Sequence, residues 1–243
     1  MMIKEEQILS NWNQHLSYIE TYLSDPRKTK VLEMIKALEQ QMVLAPASGK
    51  SHFHNAFPGG YIDHVNRVVE ASMYTLQLWK KMGADIDFTE EELVFSALFH
   101  DLGKIGDLGT ECYLPQKDNW RRDKLNEQFT INPELPFMLV QDRSLYLLQK
   151  FGIELSHNEY MAVRLHDGVY DDANKAYFFS NYPDAKFRTN IVYILHQADG
   201  IAARVEYEKW RDSSSDKPVT TSKKVKGKTV KSSERLMNLV KNI

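Results

Sequence analysis

The stretch Leu93-Val94-Phe95-Ser96-Ala97-Leu98-Phe99-His100-Asp101-Leu102-Gly103-Lys104 decides how the rest of the chain is read. It follows Thr89-Glu90-Glu91-Glu92, a Thr-x-x-Glu pattern that starts a helix by reciprocal capping. Leu93, Val94, Ala97, Leu98 and Phe99 predict a core-facing helix that ends near Leu102-Gly103 and carries a histidine and an aspartate inward with it. An unpaired buried carboxylate costs several kcal/mol, so an aspartate in such a run needs a partner.

Two other apolar helices carry the same anomaly. One is predicted from about Tyr61 to Met82, with Ile62, Val65, Val68, Val69, Met73, Leu76 and Trp79 on its apolar face and Gly83 as its C-terminal cap; it contains His64. The other is predicted from about Ala185 to Trp210, with Ile191, Ile194, Leu195, Ala198, Ile201, Ala202 and Val205; it contains Asp199. Two imidazoles and two carboxylates suit a borderline-to-hard divalent cation: Mn²⁺, Mg²⁺, Co²⁺, Ni²⁺, Fe²⁺ or Zn²⁺. Taken singly, each residue has an ordinary explanation. His64 could be a satisfied core histidine, His100-Asp101 a helix terminus, and Asp199 a buried salt-bridge partner of Arg204 or Arg67. All of these must hold together to defeat the metal reading.

Composition narrows the field. The 243 residues include one cysteine, Cys112, so neither an internal disulfide nor a cysteine-rich zinc site can form, and any metal must use histidine and carboxylate. Residues 1–10 are polar, and no apolar run approaches the ~18 residues of a membrane span, so the expectation is a cytoplasmic protein with no membrane partner. The formal net charge of −2 hides an asymmetry. Residues 213–243 hold eight basic residues against two acidic ones, a net +6, which leaves −8 for the rest. Nucleic acid is thereby an unpromising partner for the body but an open one for the tail. The oligomeric state is left open.

The remaining pattern is mainly α. Helices are predicted over 3–24, 27–44, 142–151 and 156–165, the last with Ser156 as cap and Glu159 at its third position. Residues 104–140 are rich in Gly, Pro, Asn and charge, and read as a long loop with short strands at 110–114 and 128–131. Beyond the last core helix, 223–230 could form a hairpin about Gly227, and Leu236, Leu239 and Val240 a short amphipathic helix. The expected organisation is an N-terminal helical extension (1–48) packing on a core (49–211), followed by a basic tail (212–243).

The ordered set His64, His100-Asp101 and Asp199 resembles the HD-domain metal-dependent phosphohydrolases, over roughly residues 50–210. Phe99-His100-Asp101-Leu102-Gly103-Lys104 is similar to the family's His-Asp-Ile/Leu-Gly-Lys segment. Pro58-Gly59-Gly60-Tyr61-Ile62-Asp63-His64 resembles the Gly-Gly-x-x-x-His of one branch, and Ala198-Asp199 with Ala202 resembles its final aspartate helix. The resemblance implies a helical bundle, a divalent metal on these four residues, and metal-assisted attack of water on a phosphoester of a nucleotide. In resembling members the lysine at 104 faces phosphate. One nucleotidase branch has a glutamate there to handle the attacking water, which a protonated lysine cannot do. Some members bind a second metal through further histidines; His157 and His166 are on offer, but none occurs near 141–144, so one metal, or a weak second site, is expected. The catalytic candidates are then Asp101, Lys104 and His166, with His166 as phosphate contact or proton donor. Substrate-binding candidates are His54, Arg67, Lys104, Asp167 and His196, with Arg143 a weaker one. The substrate expected is a small nucleotide: a nucleoside mono- or triphosphate, or a cyclic nucleotide. Alternatives are a phosphodiesterase on oligonucleotide or RNA ends, and a non-catalytic nucleotide-sensing domain.

Overall fold

Apolar periodicity makes the helices, and the helices share one core. The computed structural model describes residues 3–53, 55–179 and 189–214. In chain order these form α1 (Glu5–Tyr22), α2 (Arg27–Leu44), α3 (Gly60–Lys81), α4 (Glu90–Phe99), a 3-10 turn (Leu102–Ile105), β1 (Gly106–Asp107), β2 (Thr110–Glu111), β3 (Tyr113–Pro115), α5 (Asn119–Lys124), β4 (Phe129–Ile131), α6 (Val140–Lys150), α7 (His157–Leu165), two further 3-10 turns, α8 (Lys175–Phe178) and α9 (Ile191–Ser214). The protein is mainly helical, with a few short strands. No helix among the described residues is long and apolar enough to cross a membrane.

The long helices α3 and α9 lie against each other, α4 packs on α3 and α7, and α7 packs on α9. Val65, Val68 and Val69 of α3 meet Leu93, Ala97 and Leu98 of α4 and Ile194, Leu195 and Ala198 of α9 in a single apolar cluster. Trp12, Ile19, Val31, Met34, Leu38 and Met42, from α1 and α2, belong to the same cluster, so the first two helices share the core's interior. The caps read from sequence are present. Thr89 accepts from the Glu92 amide while Glu92 accepts from the Thr89 amide, and Ser156 and Glu159 do the same at α7.

The segment 104–140 departs from expectation. The single strand foreseen at 110–114 is split at Cys112 into two hairpins. β1 pairs with β2 (Gly106↔Glu111), and β3 pairs with β4 (Tyr113↔Ile131, Leu114↔Thr130, Pro115↔Phe129). Between β3 and β4 lies α5, a single capped turn and a half that the loop reading missed; Asp118 caps it by accepting from the Arg121 amide. Helix α9 starts at Ile191, later than the spacing suggested. Thr189 and Asn190 are not helical because they bind the Asp87 carboxylate, through the Thr189 hydroxyl at 3.2 Å and the Asn190 amide at 3.2 Å. The hairpin foreseen at 223–230, the helix about Leu236 and the basic tail lie outside the described residues.

One buried titratable group stands apart from the chemistry. His15 of α1 is fully buried, stacks on Trp12 at 5.8 Å and has Nδ1 3.3 Å from Asn66 Oδ1. Burial holds its pKa down to about 4, with the Asn66 hydrogen bond opposing. The unfolded chain takes up this proton near the ordinary pKa of 6.5, whereas the folded protein resists until about 4. Stability contributed by the neutral ring is therefore present above 6.5 and lost as pH falls through that window, on the order of 3 kcal/mol in all. His15→Phe should flatten the dependence of Tm on pH between 4 and 6.5; a variant curve parallel to wild type would refute this.

Candidate metal centre

Four helices deliver the chemistry to one point. His64 comes from the first turns of α3, His100 and Asp101 from the end of α4, His166 from the end of α7, and Asp199 from α9. His64 Nε2 lies 3.2 Å from Asp199 Oδ1 and 3.4 Å from Asp101 Oδ2. His100 Nε2 lies 3.5 Å from Asp101 Oδ2, and His166 Nε2 lies 3.7 Å from Asp101 Oδ1. Ligand atoms of His64, His100 and Asp101, and those of His100, His166 and Asp199, each fall within 4.8 Å of one another. These buried His and Asp groups could hold a metal ion.

The imidazoles are aimed. His100 Nδ1 donates to the Ala97 carbonyl and His166 Nδ1 to the Val163 carbonyl, both at 2.8 Å. Each histidine caps its own helix, and the carbonyl three residues back is one of those a helix terminus leaves unsatisfied. His64 Nδ1 lies 3.2 Å from both carboxylate oxygens of Glu206. Every Nδ1 thus has an acceptor, and Nε2 is the atom each ring turns into the cluster. That arrangement, with a carboxylate or carbonyl behind each imidazole, orients histidines for a cation. Buried His100 Nε2 makes no hydrogen bond among the described residues, an orphan that a cation would satisfy. The carboxylates, too, are poised as anions. Burial pushes Asp101 and Asp199 up, but the neighbouring cationic groups outweigh it: Lys104 and the histidines around Asp101, and His64 and His100 at Asp199. Both are held below the usual carboxylate range. Burial pulls His64 down, while the Glu206 charge and its bonds to Asp101 and Asp199 carry it well above the usual imidazole range.

Two glycines make this convergence sterically possible. A Cβ at Gly60 would stand 2.0 Å from the Asn55 carbonyl oxygen, because the loop before α3 crosses its first turn. A Cβ at Gly103 would stand 2.2 Å from the Val140 carbonyl oxygen, because α6 packs directly on the turn after Asp101. Ser144 of α6 ties that turn down, accepting from the Gly103 amide at 2.8 Å and donating to the His100 carbonyl at 3.0 Å.

The structure brings His64, His100, Asp101 and Asp199 together as the sequence reading grouped them. Neither arginine considered for Asp199 serves it. Arg204 binds Glu208, and Arg67 binds Asp63 and Glu206. Lys104 Nζ sits 2.6 Å from Asp101 Oδ2; burial lowers its pKa and the Asp101 charge more than restores it, so it stays above the ordinary lysine value. His166 lies within the donor cluster itself, closer in than a substrate contact required. Asp167 and His196 line the adjoining cleft, with His196 Nδ1 donating to the His166 carbonyl at 2.7 Å.

Three expectations are corrected. Arg67 does not face this cleft; a buried Glu206 carboxylate needs a counter-charge, and Arg67 provides it. His157 is exposed at the first turn of α7 and is no metal ligand candidate. Arg143 is buried and donates to the Pro136 carbonyl. His54 lies outside the described residues. The residue missed from sequence is Glu206. It lies seven positions after Asp199, two helical turns along the same face, and that spacing was the available signal.

The centre opens to solvent through a cleft of about 730 Å³ whose walls include Lys104, Tyr113, Asp167, Tyr170, His196 and Asp199. It adjoins a space of about 500 Å³ that shares Lys104, Asp167, Tyr170 and Asp199 and reaches Asp101 and His166. Searches against protein-family models, curated proteins and solved structures found no match to this chain.

Glu206→Gln keeps an acceptor behind His64 but removes its charge. Manganese affinity, measured by calorimetry on the folded protein, should fall by roughly 10–100-fold. Unchanged affinity would show that Glu206 serves Arg67 alone.

Proposed function

We propose that the protein is an HD-type metal-dependent phosphohydrolase that cleaves a phosphoester of a small nucleotide. The observation that carries this is the convergence of three Nε2 atoms on the buried Asp101 and the partly exposed Asp199, with the Lys104 ammonium at the same point. His64, His100, Asp101 and Asp199 would hold a divalent cation. When bound, such an ion polarises a phosphoryl oxygen and acidifies water at neutral pH.

The chain's own groups do the rest. Lys104 is charged at neutral pH and stands where it opposes negative charge growing on the phosphoryl oxygens. His166 Nε2 lies 3.7 Å from Asp167 Oδ1 as well as from Asp101. Without a bound ion, burial pulls its pKa down and the Asp101, Asp167 and Asp199 carboxylates raise it to about 9; its Nδ1 is engaged by the Val163 carbonyl, so Nε2 is the position from which the ring would give a proton to the leaving oxygen. Asp167 and His196, on the cleft wall, orient the substrate. His166, His100 and Asp199 also form a second three-donor group; a weakly held second cation there is the alternative use of this ring, because with Nε2 ligating an ion His166 would not be the proton donor.

A second reading has one observation in its favour. Phe53 and Tyr170 on the cleft wall are 56% and 89% exposed, surfaces on which bases of a single strand can stack. That favours an oligonucleotide end as substrate.

The deciding experiment is phosphate or nucleotide release by the purified protein with Mn²⁺, Mg²⁺, Co²⁺ or Ni²⁺, across nucleoside mono- and triphosphates, cyclic nucleotides and short single strands. Turnover of the small nucleotides supports the first reading, turnover of strands alone the second, and metal binding without turnover of any substrate refutes both. Asp101→Ala and His100→Ala should lose metal and turnover together; if they hydrolyse as wild type does, the mechanism is wrong. Lys104→Met should bind metal normally yet lose roughly 10²–10³-fold in kcat, read by steady-state kinetics beside calorimetry.

A further inference from the structure

A second cavity adjoins the cleft at Lys104 and Tyr113. It has a volume of about 240 Å³ and is walled by Leu44, Pro46, Ile105, Leu114 and Phe129. Lys104 and Tyr113 line both this cavity and the cleft, so the two spaces meet at the residue that faces the metal ligands. Both spaces are largely apolar, but the cleft adds Asp167, Asp199, His196 and Arg204 to its walls, whereas no imidazole among the described residues lines the second cavity. Its polar groups include Gln40 of α2 and Glu111 of β2, an amide and a carboxylate able to meet the hydrogen-bonding edge of a ligand.

The walls are preformed. Gln41 of α2 donates to the Ile105 carbonyl at 3.2 Å and the Asp107 carbonyl at 2.8 Å, and accepts from the Gly109 amide at 3.3 Å, fastening the β1–β2 hairpin to α2. On the other side the Gly49 carbonyl accepts from the Gln128 and Phe129 amides. A Cβ at Gly49 would lie 2.9 Å from the Phe129 carbonyl oxygen and 3.7 Å from the Tyr113 ring, so the chain at Gly49 presses against both. Size and polarity select the occupant. An apolar cavity of about 150 Å³ takes up benzene, so this one has room for a heterocyclic ring. A phosphate, which would be stripped of water there with no cation but Lys104 at its edge, belongs in the cleft.

We propose that this cavity is the nucleobase subsite: the base enters between Leu44, Ile105, Leu114 and Phe129, and Tyr113 and Lys104 form the sill across which the phosphate reaches the His/Asp centre. The choice of substrate then lies with the 106–131 hairpins. The inference rests on the phosphohydrolase reading for the position of the phosphate.

Cys112 lines the cavity and is the only cysteine in the chain, so it reports occupancy directly. The wild-type protein, full length and manganese-loaded, is alkylated with iodoacetamide at alkaline pH in the presence of adenosine, guanosine, cytidine or uridine, none of which carries phosphate. At least one nucleoside should slow alkylation several-fold; no protection by any of the four overturns the proposal. Leu114→Trp places an indole in the cavity. It should abolish nucleoside binding by calorimetry and raise KM for the hydrolysed nucleotide about tenfold or more, with manganese affinity unchanged. Retained nucleoside binding in that variant overturns the proposal. If Leu114→Trp does not fold, the wild-type protection experiment decides alone. The two readings fail separately: protection without hydrolysis of any phosphoester removes the phosphohydrolase, and hydrolysis with KM unmoved by Leu114→Trp removes the subsite.

Discussion

Asp101 is 3% exposed, at the end of a helix whose residues from Leu93 to Phe99 are all buried. A carboxylate there must be met by positive charge or by donors, because the desolvation cost of leaving it alone is comparable to the whole stability of a domain. Much of the architecture around the centre answers that requirement. Lys104 reaches back one turn to Asp101, three imidazoles turn their Nε2 atoms toward it, and α6 packs onto the turn that holds it in place.

The compensation continues outward in layers of alternating charge. Glu206 backs His64, Arg67 backs Glu206, and Asp63 backs Arg67 at 3.0 Å. Asn55 then donates to Asp63 at 2.8 Å, in the same loop whose carbonyl excludes any side chain at Gly60. The Gly59-Gly60 pair at the start of α3 and the buried glutamate of α9 are therefore parts of one structure, though they stand almost 150 residues apart in the chain. On the other side, His100 and His166 use the unsatisfied carbonyls at the ends of their own helices. Their aim is set by where α4 and α7 stop.

How much of this is legible in the chain depends on the range of the physics. The Thr89–Glu92 and Ser156–Glu159 caps, the apolar stripes of α3, α4 and α9, and the anomaly of a charge within such a stripe are local, and all could be read. So could the grouping of His64, His100, Asp101 and Asp199, since each breaks the pattern of an otherwise apolar helix. Arg67 is the opposite case: its proximity to His64 along α3 is local, while its pairing with Glu206 spans α3 and α9. The 104–140 segment is the least legible, since strands of two and three residues carry almost no periodicity, and their pairing is with residues up to 18 positions away.

Burial of apolar faces forces whatever lies on those faces inward, so the chain's own pattern makes a mainly helical protein whose core-facing helices carry two imidazoles and two carboxylates. The same sequence also determines that any metal would be held by nitrogen and oxygen rather than sulfur. Packing of distant segments set Glu206 behind His64, brought His166 into the cluster, gave Arg67 to Glu206 and opened a second, apolar cavity beside Lys104. Those outcomes depend on how α3, α4, α7 and α9 are set against one another and on the hairpins laid across α2. Contacts of that kind are settled by packing between distant segments, and no local pattern in the chain encodes them.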